Sequence, residues 1–366
     1  MTQTVARFKV DYYQFLKPDG TLVDDRQAPQ VARDFDRLVE LYELMSLTRV
    51  FDAKAVALQR TGQLGTYASS LGHEAAHVAI GAAMKHEDCL APMYREYAAQ
   101  FYRGVKMSEV LLYWGGDERG NNFSGPEHDF AWCVPIATQC LHAAGAAMAY
   151  KLKSEDRVAV SVVGDGGSSK GDFLEAINAG SAWKLPLVLI IMNNQWAISV
   201  PRSKQNTAAT LAQKGIAAGL PSMQVDGNDL IACLWVMDNA IEAARSGRGS
   251  FVIEMITYRL SDHTTADDAR RYRPDEEVEE AWEREPLKRL RTYLVNNGVW
   301  DEDKEEALLA ECREAVDAAV EDYLDMVENN PQPVTAMFDH MFAELPHDLI
   351  EQRREAQRHE QEGGQL

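Results

Sequence analysis

The pattern of apolar and polar positions is sharpest between residues 158 and 194. Residues 158–163 are a short, β-branched apolar run, which predicts a buried strand. Gly164, Asp165, Gly166 and Gly167 interrupt it. Over 171–183 the spacing predicts a helix, with Phe173, Leu174, Ile177 and Ala182 on one apolar stripe. Pro186 opens a second apolar run, 187–192, which ends at Asn193 and Asn194. Strand, helix and strand in this order make a right-handed crossover between two parallel neighbours. Asp165 and Asn194 then stand at the carboxyl ends of adjacent strands, the edge at which open α/β sheets bind ligands.

The rest of the chain extends this picture. Residues 1–30 are mixed, with a turn at Pro18-Asp19-Gly20, and read as an arm that settles on another surface. Phe35, Leu38, Val39, Tyr42, Met45 and Leu47 keep helical spacing, and Gly62 is a plausible terminator. An Ala-rich helix is expected over 73–86, then a short apolar run over 87–93 before Tyr94 and Arg95. An amphipathic helix over 108–114, a polar Gly-rich loop over 115–130 and a helix of small residues over 139–152 follow. Residues 223–225 and 251–255 read as strands around a helix at 231–245, and 261–271 as a loop rich in Asp and Thr. From Glu276 onward the chain is acidic, helical and without strand patterns. The expected architecture is α/β with a mainly parallel sheet, divided into an arm (1–30), an α/β domain (31–273) and a helical C-terminal region (274–366).

The glycine loop does not fit the common phosphate binders. A dinucleotide fingerprint needs a third glycine where Ser169 stands, and an acidic residue to hold a ribose where the next strand ends in Asn193 and Asn194. A P-loop needs Ser or Thr after its lysine, but Gly171 follows Lys170. Asp165 would repel a bare pyrophosphate unless a cation intervened. One charged and one neutral oxygen ligand on a glycine floor suit Mg2+, which fills its octahedron with phosphate oxygens and water. The competing reading, an ordinary strand-to-helix turn, needs the glycine-flanked Asp and the strand-terminal Asn pair to coincide by accident.

Composition narrows the partners and the compartment. The 366 residues carry 57 acidic and 37 basic side chains, for a net charge of -20. Such a surface repels nucleic acid and anionic lipid. Cys89, Cys133, Cys140, Cys233 and Cys312 are scattered and without C-x-x-C spacing, as expected of reduced thiols in a cytoplasmic setting. No run approaches the length of a membrane span, and the N-terminus shows no secretory apolar core.

The G-D-G at 164–166 followed by N-N at 193–194 resembles the thiamine diphosphate-binding signature. The likeness extends over nearly the whole chain. It takes in Ala197 to Pro201, the run Leu211-Ala-Gln-Lys-Gly-Ile-Ala-Ala-Gly219, and Val225-Asp-Gly-Asn-Asp229. It also takes in Tyr258-Arg259, His263, Asp267, Asp268 and Tyr272-Arg273. On these residues the chain resembles the alpha subunits of the decarboxylating component of 2-oxo acid dehydrogenase complexes. Members acting on pyruvate are nearest, and those acting on branched substrates such as 3-methyl-2-oxobutanoate come next.

The resemblance implies a three-layer thiamine diphosphate-binding fold with Mg2+ held by Asp165, Asn194 and the backbone carbonyl of Trp196. Gly164, Gly166 and Gly167 would let amides approach the diphosphate, and Tyr94 and Arg95 would reach the cofactor. Val134 and Ile136 would line it, Ile136 propping it bent so that proton removal is intramolecular. Thr138 and Gln139 match a monovalent cation site, a K+ site in some relatives. His263 would anchor the phosphate side or assist transfer, and Thr264 matches a position phosphorylated in animal relatives. Some relatives carry a histidine within the 115–130 loop; here Asn121 and Asn122 stand near that position, and the loop's one histidine, His128, is a candidate substitute. The chain is too short for two doubly wound sheets, so a beta subunit would supply the other half of the site in an α2β2 heterotetramer. The lipoyl domain of a dihydrolipoyl acyltransferase would receive the acyl group.

Two rivals come from other classes. His73-Glu74-Ala75-Ala76-His77 is a literal H-E-x-x-H, which on a helix serves zinc hydrolases, with Glu96 available as a third ligand. Ala143, Ala144, Gly145, Ala147 and Ala149 would allow close helix approach, as in a non-catalytic structural subunit or an ordinary core.

Overall fold

The computed structural model describes residues 2–362; the first residue of the arm and residues 363–366 of the C-terminal region lie outside the described residues. The chain divides into two compact units, Met1–Ala319 and Val320–Leu366.

The first unit is built on one sheet. In chain order the strands are β1 Asp11–Tyr13, β2 Cys89–Ala91, β3 Ala159–Gly164, β4 Leu187–Asn193, β5 Trp196–Ala197, β6 Val200–Pro201, β7 Ser222–Asp226 and β8 Phe251–Ile256. Six of them form the sheet in the order β1-β7-β8-β4-β3-β2, with every neighbouring pair parallel. The remaining two, β5 and β6, make a short antiparallel ribbon.

Side-chain alternation along the strands accounts for the layers. Val160, Val162, Val188, Ile190 and Met192 enter one apolar cluster, with the helices Glu74–Ala83 and Leu230–Ala243. Val163, Leu187, Leu189 and Ile191 enter the other, with the helices Thr138–Lys153 and Gly171–Ala182. Both faces are covered, so β4 is buried at every position and apolar up to its terminal Asn193, as parallel strands between helical layers require. Ala143, Ala144 and Ala147 lie in this second cluster and let their helix approach the sheet closely. On the helix Gly171–Ala182 the buried stripe is Phe173, Ala176, Ile177 and Gly180. Leu174 points outward, because a turn of about 100° per residue carries it off the stripe that Phe173 and Ile177 share.

The arm behaves differently from a loosely docked segment. Asp11–Tyr13 joins the sheet as an edge strand, with Asp11 opposite Met223 and Tyr13 opposite Val225. The amides of Phe15 and Leu16 then both donate to the Asp229 carboxylate at 2.6 Å. Asp229 also caps the helix Leu230–Ala243 through the amide of Ala232. One buried carboxylate therefore fastens the arm and starts a helix.

Beyond β8 the described residues contain no strand. The helices Asp275–Trp282 and Pro286–Asn296 follow, the second with Pro at its start and Glu285 accepting from two amides there. The long helix Glu302–Asn329 begins in the first unit. The second unit contains a short turn, Val334–Phe338, and the helix His347–Gln361, with Arg353 paired to Asp339 at 3.1 Å.

Candidate active site

The site begins where β3 and β4 end. Gly164 lies opposite Met192 in the register, so the next residues of both strands emerge side by side. The amides of Asp165 and Asn194 both donate to the Met192 carbonyl, at 3.2 and 3.1 Å. Asp165 is 2% exposed, and its Oδ2 has no hydrogen-bond partner. Burial pushes its carboxyl up to about 6, against the opposing effects of the Gly166 amide and Arg259. A buried carboxylate oxygen without a donor is costly, and a cation is one partner that would satisfy it. The Asn194 Oδ1 accepts from the Trp196 amide at 3.3 Å and stays at the same strand tip. Asn193 is committed elsewhere, donating to Glu254 at 2.7 Å inside the sheet. Trp196 sits on the ribbon with its indole N–H donating to Glu277 at 3.0 Å, which fixes its side chain.

The glycine loop is tight for reasons of space. Gly166 has helical backbone angles, so its need is not a left-handed conformation. A Cβ there would come within 2.6 Å of the Ala197 Cβ. At Gly167 a Cβ would meet Val163 Cγ2 at 2.5 Å and Ile136 Cγ2 at 3.0 Å. Ile136 therefore stands directly beside the loop, and with Val134 it is substantially exposed, 39% and 51% respectively. The left-handed Ala137 (φ 71) turns the chain from this stretch into the helix Thr138–Lys153. Thr138 Oγ1 donates to Asp172 at 3.2 Å; Gln139 donates to the Val162 carbonyl at 2.7 Å, and its own Oε1 is buried without a partner.

A second group forms around Arg95. Its guanidinium donates to the carbonyls of Ser69 and His263, and lies 3.4 Å from the His263 Nδ1. Tyr94 meets the His263 ring edge-on at 6.4 Å. The Nε of Arg95 is buried and unpartnered, a donor still free for an anion. Burial, with Arg95 and Arg259 nearby, depresses His263 to about 3, so its imidazole is neutral at physiological pH. Met93 ties this group to the loop, since a Cβ on Gly164 would touch its Sδ at 4.0 Å.

Arg259 is the residue the sequence reading left without a role. It is fully buried, donates to the Ile198 carbonyl and the Tyr272 hydroxyl, and keeps Nε and Nη1 unpartnered. It acts electrostatically on both Asp165 and His263, and so links the two groups. Its only local signal is a cation placed just past the end of an apolar strand.

Two further candidates are His128 and the His73–His77 pair. His128 lines a surface hollow with Lys85, Glu87, Glu155, Asp156 and Arg157, beside the amino ends of β2 and β3 and away from Asp165. The cause lies next to it: Asp129 is buried in a 2.6 Å ion pair with Arg103 and accepts from the Leu90 amide, which pins the segment along β2. The zinc reading fails. His73 precedes the helix Glu74–Ala83 with non-helical angles, and Glu74 is engaged by Arg49 and the Gly72 amide. Among the described residues no group of three His, Cys, Asp or Glu side chains is arranged to hold a metal, so Glu96 does not complete a set.

The donors that converge here are two hard oxygens, glycine-bared amides and arginine N–H groups, a set suited to a divalent cation carrying phosphates. Residues 42–333 match the model of the dehydrogenase E1 component family. The chain is 39% identical over 353 residues to a pyruvate dehydrogenase E1 component subunit alpha of Staphylococcus epidermidis, covering 96% of this chain and 94% of that one. It is 39% identical over 345 residues to the Staphylococcus aureus protein of the same name, covering 94% and 92%. On the match across most of its length and on these relatives, the chain belongs to the dehydrogenase E1 component family.

Proposed function

We propose that this chain is the alpha subunit of a thiamine diphosphate-dependent pyruvate dehydrogenase, which decarboxylates pyruvate oxidatively and passes the acetyl group to the lipoyl group of a dihydrolipoyl acyltransferase. The observation that carries the reading is the buried, unpartnered Asp165 carboxylate oxygen beside Asn194 at two adjacent strand tips. Asp165, Asn194 and the carbonyl of Trp196 would hold Mg2+, and the Gly166–Gly167 amides with Arg95 would hold the diphosphate. Pyruvate is preferred over a branched 2-oxo acid because the 39% identical relatives carry that name.

When bound, the cofactor supplies the electron sink for loss of CO2. The chain's own part is to bind and orient. Ile136, pressed against Gly167, is the apolar prop over the loop. Tyr94 and the neutral His263 close the side held by Arg95. A neutral imidazole can accept or donate a single proton, which suits a role in transfer better than charge pairing. The buried Gln139 Oε1, next to Thr138, is an oxygen that K+ could satisfy.

A beta subunit completes the site in an α2β2 assembly. Val134, Ile136, Ile198 and Val200 are exposed apolar side chains around the rim, and such a patch favours burial by a partner. The five buried free thiols fit a cytoplasmic location. No helix is long and apolar enough to cross a membrane.

The test is reconstitution with a cognate beta subunit. Pyruvate should be turned over in preference to 3-methyl-2-oxobutanoate, and Asp165→Ala should abolish Mg2+-dependent cofactor binding. Native affinity in that variant would sink the proposal.

A further inference from the structure

A buried carboxylate outside the proposed contact set holds the arginine side of the site. Asp52 lies on the helix Phe35–Arg60, is 4% exposed and forms no ion pair among the described residues. Its oxygens accept from the Tyr67 hydroxyl (3.0 Å), the Ser69 hydroxyl (2.5 Å), and the Ser70 amide (2.6 Å) and hydroxyl (3.3 Å). Burying a carboxylate without a directly paired cation is expensive; its hydrogen-bond donors are all neutral and all from one short segment, and the Arg95 charge favours it from farther away.

That segment, 67–71, has no helix or strand of its own. Every one of its carbonyls is nevertheless used. Tyr67 accepts from the Thr265 amide at 2.9 Å, Ala68 from the Tyr97 hydroxyl at 2.8 Å, and Ser69 from the Arg95 guanidinium. Ser70 accepts from the His73 amide at 2.9 Å, and Leu71 from the Leu260 amide at 3.4 Å. The Tyr67 amide also donates to the Thr265 hydroxyl at 3.0 Å. One face of the segment is thus gripped by Asp52, and the other grips Arg95 and both ends of the 260–265 loop that carries His263.

We infer that Asp52 is a positioning residue for cofactor binding: through the 67–71 segment it sets where Arg95 and His263 stand. The inference rests on the proposed cofactor site, because its consequence is read in cofactor affinity. Irregular backbone has no repeating hydrogen bonds to fix it, so a single buried acceptor of several donors decides its path. The Arg95 guanidinium is held by two backbone carbonyls and makes no direct ion pair among the described residues, which leaves its N–H groups available to an anion.

The experiment compares native, Asp52→Asn and Tyr67→Phe chains, each assembled with the beta subunit. It measures thiamine diphosphate binding at saturating Mg2+ by calorimetry, kcat at saturating cofactor, and thermal stability. Asp52→Asn should weaken cofactor binding about tenfold or more, with the loss in affinity exceeding any loss in kcat at saturation. Tyr67→Phe, which removes one donor and preserves the fold, should weaken it by a smaller factor in the same direction. If both variants bind cofactor as the native assembly does, whatever their melting temperatures, Asp52 is only a structural residue and the inference is overturned. If the native assembly itself shows no Mg2+-dependent binding, the proposed function falls and this inference falls with it.

Discussion

Asp165 and Glu96 are both buried carboxyl groups, and burial raises both, yet their surroundings give them different roles. Asp165 stands at a strand tip with an open oxygen next to Asn194. Glu96 accepts from the Met93 amide at 2.8 Å, and its other oxygen is buried with no partner and no ligand set around it. Burial lifts Glu96 from 4.5 to about 7, partly offset by the Met93 and Arg95 amides and the Arg95 charge. Between those two pH values the folded chain holds a proton that the unfolded chain has released. Stability therefore falls as pH rises through that window and levels off above it. Glu96→Gln should remove this slope and stabilise the protein at pH 8 by roughly 1–3 kcal/mol. Denaturant unfolding at pH 5 and pH 8 checks it; an unchanged difference between the two pH values would refute the assignment.

At the scale of elements, the arm and the helix Leu230–Ala243 depend on one another. Asp229 accepts from the amides of Phe15, Leu16 and Ala232, so it joins the end of β1 to a helix cap. Asp229→Ala should cost about 1 kcal/mol through the cap and more through two buried amides left unpaired. The expected outcome is a total loss of about 2–4 kcal/mol and rapid proteolysis of residues 1–30, read by limited digestion. The edge strand was not legible beforehand. Asp-Tyr-Tyr has no apolar alternation, and its strand conformation comes from pairing with β7, more than two hundred residues away in the chain. By contrast β3 and β4 were readable almost to the residue, because strands buried on both faces read as near-continuous apolar runs, interrupted here by Ser161 and ended by Asn193.

At the scale of the whole molecule, the helix Pro286–Asn296, which follows the last strand, is bound to the sheet by charge as well as packing. Arg289, on the helix Pro286–Asn296, pairs with Asp226 at the end of β7 at 2.7 Å and donates to the Leu16 carbonyl at 3.1 Å. It is 1% exposed, so removing it strands a carboxylate. Arg289→Ala should destabilise by about 3–5 kcal/mol, whereas replacing Asp226 and Arg289 together by apolar residues of similar volume should recover part of the loss. A double-mutant cycle by thermal or denaturant unfolding measures this; additive losses would show the pair is not coupled. The alpha chain alone should not turn over pyruvate, and full activity without a beta subunit would contradict the half-site reading.

Local pattern by itself determined the β-α-β unit, the glycine loop and the placing of Asp165 and Asn194 together, since a parallel crossover leaves two successive strands ending at the same edge. Those are consequences of residue period and chain continuity. Tertiary structure alone decided which distant residues joined them. His128 and His263 are both loop histidines in sequence; a buried Asp129–Arg103 pair holds the first beside β2, while the 67–71 segment and Arg95 bring the second to the site. The same holds for His73 and His77, whose spacing suits a metal but whose surroundings bury them without a third ligand. Ion pairs and backbone contacts between remote segments set these positions, and such contacts leave no periodic mark on the chain.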